Sequence, residues 1–425
     1  MMMMRGVALA AVLALPAVAL AQADSTARAA ESTPAPEGTP VTQEQLNAAL
    51  EGMNEQTAAM SAELDKLRKF KFSGYIQARY EIGEASSDTV RLTGSSSSSV
   101  GTLTPANLER FYIRRARLKL TYDSSPLSRG VVYFDGGSDR TIRLLEAYVT
   151  LLDPWTPLHD HAFTAGQFNV PFGYEIERSS SVRELPERSR AENVLFSGER
   201  DRGLKLDSQW TPQLSTSFGM LNGGGINNAD FPTTDPTAPK DLTARARWSQ
   251  GTWDVAGSWY SGTQTTPLTG PDIQTKKTRL GFDAQMYLTT PGVGGSSLKF
   301  EGYVGHDVNP DSVRSIVSGA SGSRVVLPGR NPDHVATDFS GGYVMFVQNA
   351  GERLQFAARY DVWDPNVDLD HDQYRRFSVG VNAFYDGFTR LTVSYDAVTT
   401  EVATGGGQFK DPHDNLWTFQ FQHKF

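Results

Sequence analysis

An all-β fold, a sixteen-stranded antiparallel transmembrane β-barrel behind a short helical coiled coil, is what the sequence predicts. Three observations carry that expectation. From Phe72 to the C-terminus, apolar and polar residues alternate with the period of two that marks a strand with two unlike faces. Many of these segments approach the roughly 9–11 residues a tilted strand needs to cross a bilayer, whereas soluble strands run about 5–6. The connections also alternate. Tight turns such as Trp210–Gln213, Gln250–Trp253 and Asp386–Phe388 exchange with long polar loops at 83–109, 171–201, 223–240, 263–276, 308–336 and 400–414. Short turns on the periplasmic side and long loops outside are the pattern of an outer-membrane barrel. A sandwich or propeller alternates too, but with shorter strands.

Before the strands come three segments of different character. Arg5 precedes an apolar run from Gly6 to Leu20, and Ala21-Gln22-Ala23 supplies the small residues that a signal peptidase reads. Residues 1–23 are therefore expected to be a cleaved signal peptide, since the run is too short for a spanning helix. Residues 24–40 are small, polar and proline-rich, which predicts a disordered linker. Over 41–69, Leu46, Leu50, Met53, Thr57, Met60, Leu64 and Leu67 step by four and three, a heptad seam. That predicts a periplasmic coiled-coil helix that self-associates with other copies, the alternative being a single amphipathic helix packed on the main domain. There are no cysteines, so no disulfide or thiolate metal site holds the fold. The net charge of -8 argues against nucleic acid as a partner.

The barrel then occupies 70–425. Its segments lie near 72–82, 110–122, 129–136, 142–152, 161–170, 202–211, 213–222, 241–250, 252–262, 277–290, 297–307, 337–348, 352–362, 374–386, 388–399 and 415–425. Tyr80, Tyr122, Trp155, Trp210, Trp248, Tyr395 and Trp417 sit near segment ends, as an interfacial girdle requires. The last segment ends in alternating aromatics and a terminal Phe425, like the final strand of bacterial outer-membrane proteins.

If the apolar faces meet lipid, the other parity faces the lumen. Arg79, Arg115, Arg117, Lys119, Arg245, Arg247, Arg279, Arg359 and Arg376 then point inward. In all, that parity carries fifteen basic residues against nine acidic ones, although the whole chain is acidic. Rings of one charge sign enrich the opposite ion and select it. Arg114 takes the lipid parity with Tyr112, near the outer rim, where it is expected to snorkel toward a lipid phosphate. Lys205 beside Asp207, and Lys299 beside Glu301, are as well explained by structural pairing as by a role in a path.

The pieces RFYIRRARLKL (110–120), LLEAYVTLL (144–152), GQFNVPFGYE (166–175) and ERSRAENVLFSGERDRGLKL (187–206) resemble, in that order, the phosphate-selective porin O and P family. The resemblance implies a sixteen-stranded homotrimeric outer-membrane channel for small, phosphate-like anions. Basic side chains would line its lumen and an in-folded third loop would narrow it. Outer-membrane lipid and lipopolysaccharide are its implied surroundings. The 171–201 segment takes the place of that constriction loop and offers Arg178, Arg183, Arg188, Arg190 and Arg200. Seven acids accompany these five bases, a near balance less cationic than strong phosphate selection calls for. A general or other-solute porin is the alternative.

Other chemistry is poorly represented. His159-Asp160-His161 lies in an expected periplasmic turn with no third metal ligand in view, and Asp368, Asp370 and Asp372 lack the glycine and closing glutamate of a calcium loop. No nucleophile elbow or phosphate-cradling glycine loop occurs, so neither an enzyme nor a bound cofactor is expected. An adhesin acting through its outer loops is the remaining alternative of another class.

Overall fold

The computed structural model describes residues 43–83, 109–137, 141–226, 239–266, 273–307, 336–368, 373–400, 402–403, 409–410 and 415–425. The expected signal peptide and linker lie outside these residues, as do Asp370, Asp372 and most of the long outer loops. Helix α1 (Gln43–Arg68) is followed by β1 (Phe70–Gly83), β2 (Glu109–Ser125), β3 (Ser128–Asp135), β4 (Arg143–Leu152) and β5 (His161–Asn169). A short helix, α2 (Arg190–Leu195), precedes β6 (Arg200–Gln209), β7 (Leu214–Leu221), β8 (Asp241–Gln250), β9 (Trp253–Thr266) and β10 (Ile273–Thr290). Then come β11 (Gly294–Asp307), β12 (Thr337–Ala350), β13 (Leu354–Asp364), β14 (Tyr374–Phe384) and β15 (Thr389–Thr400). A two-stranded ribbon, β16 (Val402–Ala403) with β17 (Phe409–Lys410), stands apart from β18 (Leu416–Lys424), which closes the barrel.

Each of the sixteen barrel strands pairs antiparallel with two neighbours, and β18 joins β15 to β1. Closure leaves no edge, the condition under which strands satisfy their backbone groups in hydrocarbon. At the seam, the Gly74 and Phe425 backbones exchange hydrogen bonds of 2.9 and 3.0 Å. Gly74 must be glycine there, since a β-carbon would overlap the Arg117 carbonyl and the Phe425 ring.

The faces divide as the alternation predicts. On β11, Leu298 and Phe300 point outward, while Lys299, Glu301 and Tyr303 are buried on the inside. Leu280, Phe282, Val344, Phe346, Phe356, Phe377, Leu391 and Phe421 continue an outward apolar band. No helix among the described residues is long and apolar enough to cross a membrane. The spanning elements are the strands.

One strand departs from strict alternation. In the β1–β2 ladder Gln77 faces Arg115 but Ala78 faces Ile113, so Arg114 is an extra, unpaired residue. This β-bulge inverts the parity of everything before it on β2. Phe111 and Ile113 turn outward, and Tyr112 turns inward to donate a 2.7 Å hydrogen bond to Glu81. Arg114 also turns inward, which corrects its expected place among the lipids.

Helix α1 runs 26 residues, with Met53, Met60, Leu64 and Leu67 of the expected seam at least half exposed in the single chain.

Candidate functional site in the barrel lumen

The chain between β5 and β6, residues 170–199, folds into the barrel. Its residues explain why it stays there. Phe172, Ile176, Ala191, Leu195 and Phe196 form a buried apolar cluster with Tyr260 of β9, Tyr303 of β11, Phe339 of β12 and Trp363 of β13. Phe172 packs on Phe196 at 4.7 Å between ring centres, and Phe196 meets Tyr260 edge-on at 5.8 Å. The inward parity of β9–β13 is therefore not only polar. It carries large aromatics that the loop covers, a burial that a water-filled lumen does not supply.

Polar anchors fix the loop's course. The Glu301 carboxylate accepts the backbone N–H groups of Tyr174 (2.6 Å) and Glu175 (3.2 Å) and the Tyr343 hydroxyl (3.1 Å). Gly173 turns the chain over that carboxylate with a φ of +65°, where a side chain would collide with Glu301. Asp361 accepts from the Arg190 N–H at 2.9 Å. Ser189 caps α2, its side chain accepting from the Glu192 N–H at 3.4 Å. Loop carbonyls are met by wall donors: Arg279 on Leu195, Arg376 and Arg359 on Arg188, Asn382 on Glu184, Gln422 on Ser181 and Gln77 on Ser180.

The cationic residues expected to line a path fall into two sets. On the wall from β8 to β14 each holds a carboxylate. Arg245 grips Asp283 through two nitrogens at 2.5 and 3.2 Å and lies 3.3 Å from Glu177. Arg279 pairs with Asp307 at 2.6 Å, Arg376 with Asp361 at 2.6 Å and Arg359 with Glu175 at 3.1 Å. Arg247 pairs with Asp254. Lys205 pairs with Asp207 at 2.7 Å, as the sequence suggests. Lys299 instead pairs with Glu184 of the loop, because Glu301 is taken by the loop backbone.

The opposite wall, from β15 through β18 to β2, is less neutralised. Arg117 does pair with Asp135 at 2.7 Å and donates to the Tyr75 hydroxyl at 2.9 Å. Lys119 lies 3.3 Å from Glu146 and stays partly exposed. Arg115, however, donates to the Gln77 amide oxygen at 3.0 Å, and its nearest carboxylate, Glu187, is 3.8 Å away. Arg390 donates to the Gln422 amide oxygen at 3.3 Å, with no ion pair among the described residues. Between them lies Arg183 of the loop, 5% exposed, within electrostatic reach of both. All three nitrogens of its guanidinium lack an acceptor among the described residues. Burial pulls its pKa below the ordinary arginine value, and the charges of Glu187, Glu175 and Glu192 only partly oppose this. Lys424 lies within reach of Arg390.

Of the other loop arginines, Arg178 lies over the Tyr174 ring at 4.6 Å. Arg190 sits 5.3 Å above Tyr374. Arg188 is spent on the loop itself, donating to the carbonyls of Glu175 and Arg178 and pairing with Glu192 at 3.2 Å. Glu192 is fully buried, and burial lifts its pKa to about 7 against the pull of Arg188. Beside the loop, a cavity of about 520 Å³ is lined by Lys119, Arg178, Arg200, Lys205 and Lys424 among others.

Arg79 belongs with the loop tip. It donates to Gln420 at 2.7 Å, to the Pro186 carbonyl at 3.1 Å and to Glu187 at 2.6 Å. The sequence places Arg114 among the lipids and counts Arg390 and Glu187 only among the charges of the lumen parity and the loop, and it does not single out the lumen glutamines Gln77, Gln420 and Gln422. The alternating glutamines of YIQARY and FQFQHK, on the parity of Arg79, were the signal available for the last three. His159 lies in the turn after β4 and His161 opens β5, with Nδ1 atoms on the Asp153 carbonyl (2.6 Å) and Ser208 Oγ (3.0 Å) respectively.

No family model matches this chain, and no curated protein does. Solved structures do. The outer membrane channel DcaP of Acinetobacter baumannii is similar with a TM-score of 0.58 at 12% identity, over 84% of this chain and 97% of that one. An anion-selective porin from Comamonas acidovorans gives 0.54 at 11%, over 84% and 99%. The trimer form of OmpT of Vibrio cholerae gives 0.53 at 11%, over 84% and 99%. At such identities the likeness establishes a porin-like sixteen-stranded barrel fold.

Proposed function

We propose that the protein is a trimeric outer-membrane porin giving passive, anion-preferring diffusion to phosphate or related oxyanions. One observation carries the anion preference: on one side of the lumen Arg115 and Arg390 donate to glutamine amides, and Arg183, within electrostatic reach of both, has no acceptor among the described residues, with Glu187 and Glu184 as the carboxylates near them. In a narrow, low-dielectric passage such a group draws anions and repels cations. Guanidinium forks fit the paired oxygens of an oxyanion better than a lysine point charge does. Hydrogen bonds to neutral amides leave the Arg115 and Arg390 sites weak enough for release, as conduction requires. The anion-selective porin of Comamonas acidovorans has a similar barrel, and the resemblance of RRAR and GQFNVPFG to the phosphate-selective family points to phosphate. The trimer follows the OmpT form and the heptad seam of α1, which would join three copies on the periplasmic side.

Single-channel recording across a planar bilayer under a potassium chloride gradient tests this. The expected reversal potential has the sign of chloride permeation, and added phosphate lowers the chloride current. A reversal potential favouring potassium would remove the anion assignment. Anion preference without phosphate block would leave a general anion porin.

A further inference from the structure

The bulge at Arg114 has a chemical consequence. It brings a third guanidinium to a spot where Arg79 and Arg115 already point, and the group found there is the loop carboxylate of Glu187. Arg114 reaches both of its oxygens, Nε to Oε1 at 3.0 Å and Nη2 to Oε2 at 3.4 Å. Arg79 Nη1 adds a 2.6 Å bond to Oε1, and Arg115 Nη2 stands 3.8 Å from Oε2. Glu81 is the other acid nearby. It lies 3.6 Å from Arg79 and is bonded by Arg110 and Tyr112, so it is already engaged. For Arg114 and Arg115, Glu187 is the one carboxylate within 4 Å among the described residues.

We infer that Arg79, Arg114 and Arg115 form an oxyanion-binding site occupied by Glu187 as a tethered anion, with which a diffusing phosphate or carboxylate must exchange. The inference rests on the anion path proposed above and adds how that path is kept weak. Two coplanar oxygens held by a guanidinium fork and a second donor are equally two oxygens of a phosphate. Three arginines facing a free oxyanion would hold it tightly and slow its release. A tethered competitor lowers the apparent affinity without removing the charge that attracts the anion. The tether suits this use. Arg79 fixes the backbone by its bond to the Pro186 carbonyl, so the Glu187 side chain alone can leave the site by rotating. Its side chain keeps 14% of its surface exposed, so solvent-borne ions can approach it. Burial would raise its pKa, but Arg114, Arg79 and Arg115 hold it well below the usual carboxylate range, so the competitor is charged whenever anions are.

The test compares Glu187→Gln with Glu184→Gln in the full-length protein, folding being checked by heat-modifiable gel mobility. Both remove one loop carboxylate, but Glu184 pairs with Lys299 of β11 and touches none of Arg79, Arg114 and Arg115, reaching the anion path only electrostatically, at Arg390. The phosphate concentration that halves the chloride current is expected to fall about tenfold in Glu187→Gln and to change little in Glu184→Gln. Adding Arg114→Met to Glu187→Gln should abolish the gain. Equal responses of the two single variants would mean that only net charge matters and would overturn the site. So would an unchanged half-block concentration in Glu187→Gln. Should Glu187→Gln not fold, Glu187→Asp keeps the charge and withdraws it by one methylene, and a smaller fall in half-block concentration is expected, no fall overturning the site. The wild-type reversal potential reports separately on the anion path, whatever the variants do.

Discussion

Two walls of the same lumen carry similar arginines and use them differently. On β8–β14, Arg245, Arg247, Arg279, Arg359 and Arg376 each meet a carboxylate, and the loop lies against this wall through Phe172, Phe196, Tyr303 and Trp363. On β15, β18, β1 and β2, Arg390 and Arg115 meet glutamines, and Arg183 reaches over from the loop with no acceptor among the described residues. Burying a charge without a partner is costly, and replacing a well-packed ion pair by apolar groups is often neutral. The first wall therefore spends its charges on holding the loop. The second keeps buried charges that structure alone does not need, which supports the anion path proposed above. A count of basic residues by parity cannot separate these two uses.

The largest effect is expected from breaking the anchoring wall. Arg359→Met leaves Glu175, which is 4% exposed, with the Ser189 N–H as its remaining hydrogen bond among the described residues and with Arg183 and Arg188 only within electrostatic reach. Removing one partner of a buried pair costs about 3–5 kcal/mol. Hydrogen exchange over 172–196 should speed up and channel current should become noisier, because the loop is released. If loop protection is unchanged, the carboxylate anchors are not what holds it.

Next in size is the wall proposed to carry the anion path. Arg183→Met removes a guanidinium with no acceptor among the described residues, so thermal stability of the barrel should hold or rise while anion preference drops about tenfold. Lost stability with intact selectivity would place Arg183 with the anchoring set. Arg115→Ala should lower anion preference by about threefold, whereas Arg117→Ala should barely move it, since Asp135 already neutralises Arg117. Equal effects of the two would erase the distinction between the walls that the ion pairs draw.

How much of this was readable beforehand depends on the range of the interaction. All sixteen strands are found where the period of two puts them, because lipid outside and water inside impose alternation residue by residue. The bulge was not readable. One extra residue on β2 is defined only by its partner on β1, and the string RRAR looks the same with or without it. The loop's destination was equally hidden. Phe172, Ile176, Leu195 and Phe196 follow no period, and Tyr260, Tyr303, Phe339 and Trp363 sit on a parity that looked purely polar when only its charges were counted. The pairing of Lys299 failed for the same reason, since its local neighbour Glu301 is claimed by a backbone 127 residues earlier. Short-range pairs such as Lys205 with Asp207 were readable because the sheet's own geometry makes them.

The smallest effect expected is a pH dependence of the anchoring wall, centred on Glu192. It faces Arg188, Glu175 and Arg183 of the loop and Arg359 of β13. Its pKa rises from the ordinary 4.5 to about 7 when the loop is docked, because burial outweighs the attraction of Arg188. A docked loop therefore holds this proton more tightly than a released one. Linkage then makes docking strongest below about pH 4.5 and weakens it as pH rises through about 7. Amide exchange over 172–196, corrected for its intrinsic pH dependence, should show less protection at pH 8 than at pH 5. Glu192→Gln cannot ionise and should flatten that difference, leaving the loop as protected at the higher pH as at the lower. If the slope survives in Glu192→Gln, the titrating group lies elsewhere and the buried helix α2 is a passive part of the anchor.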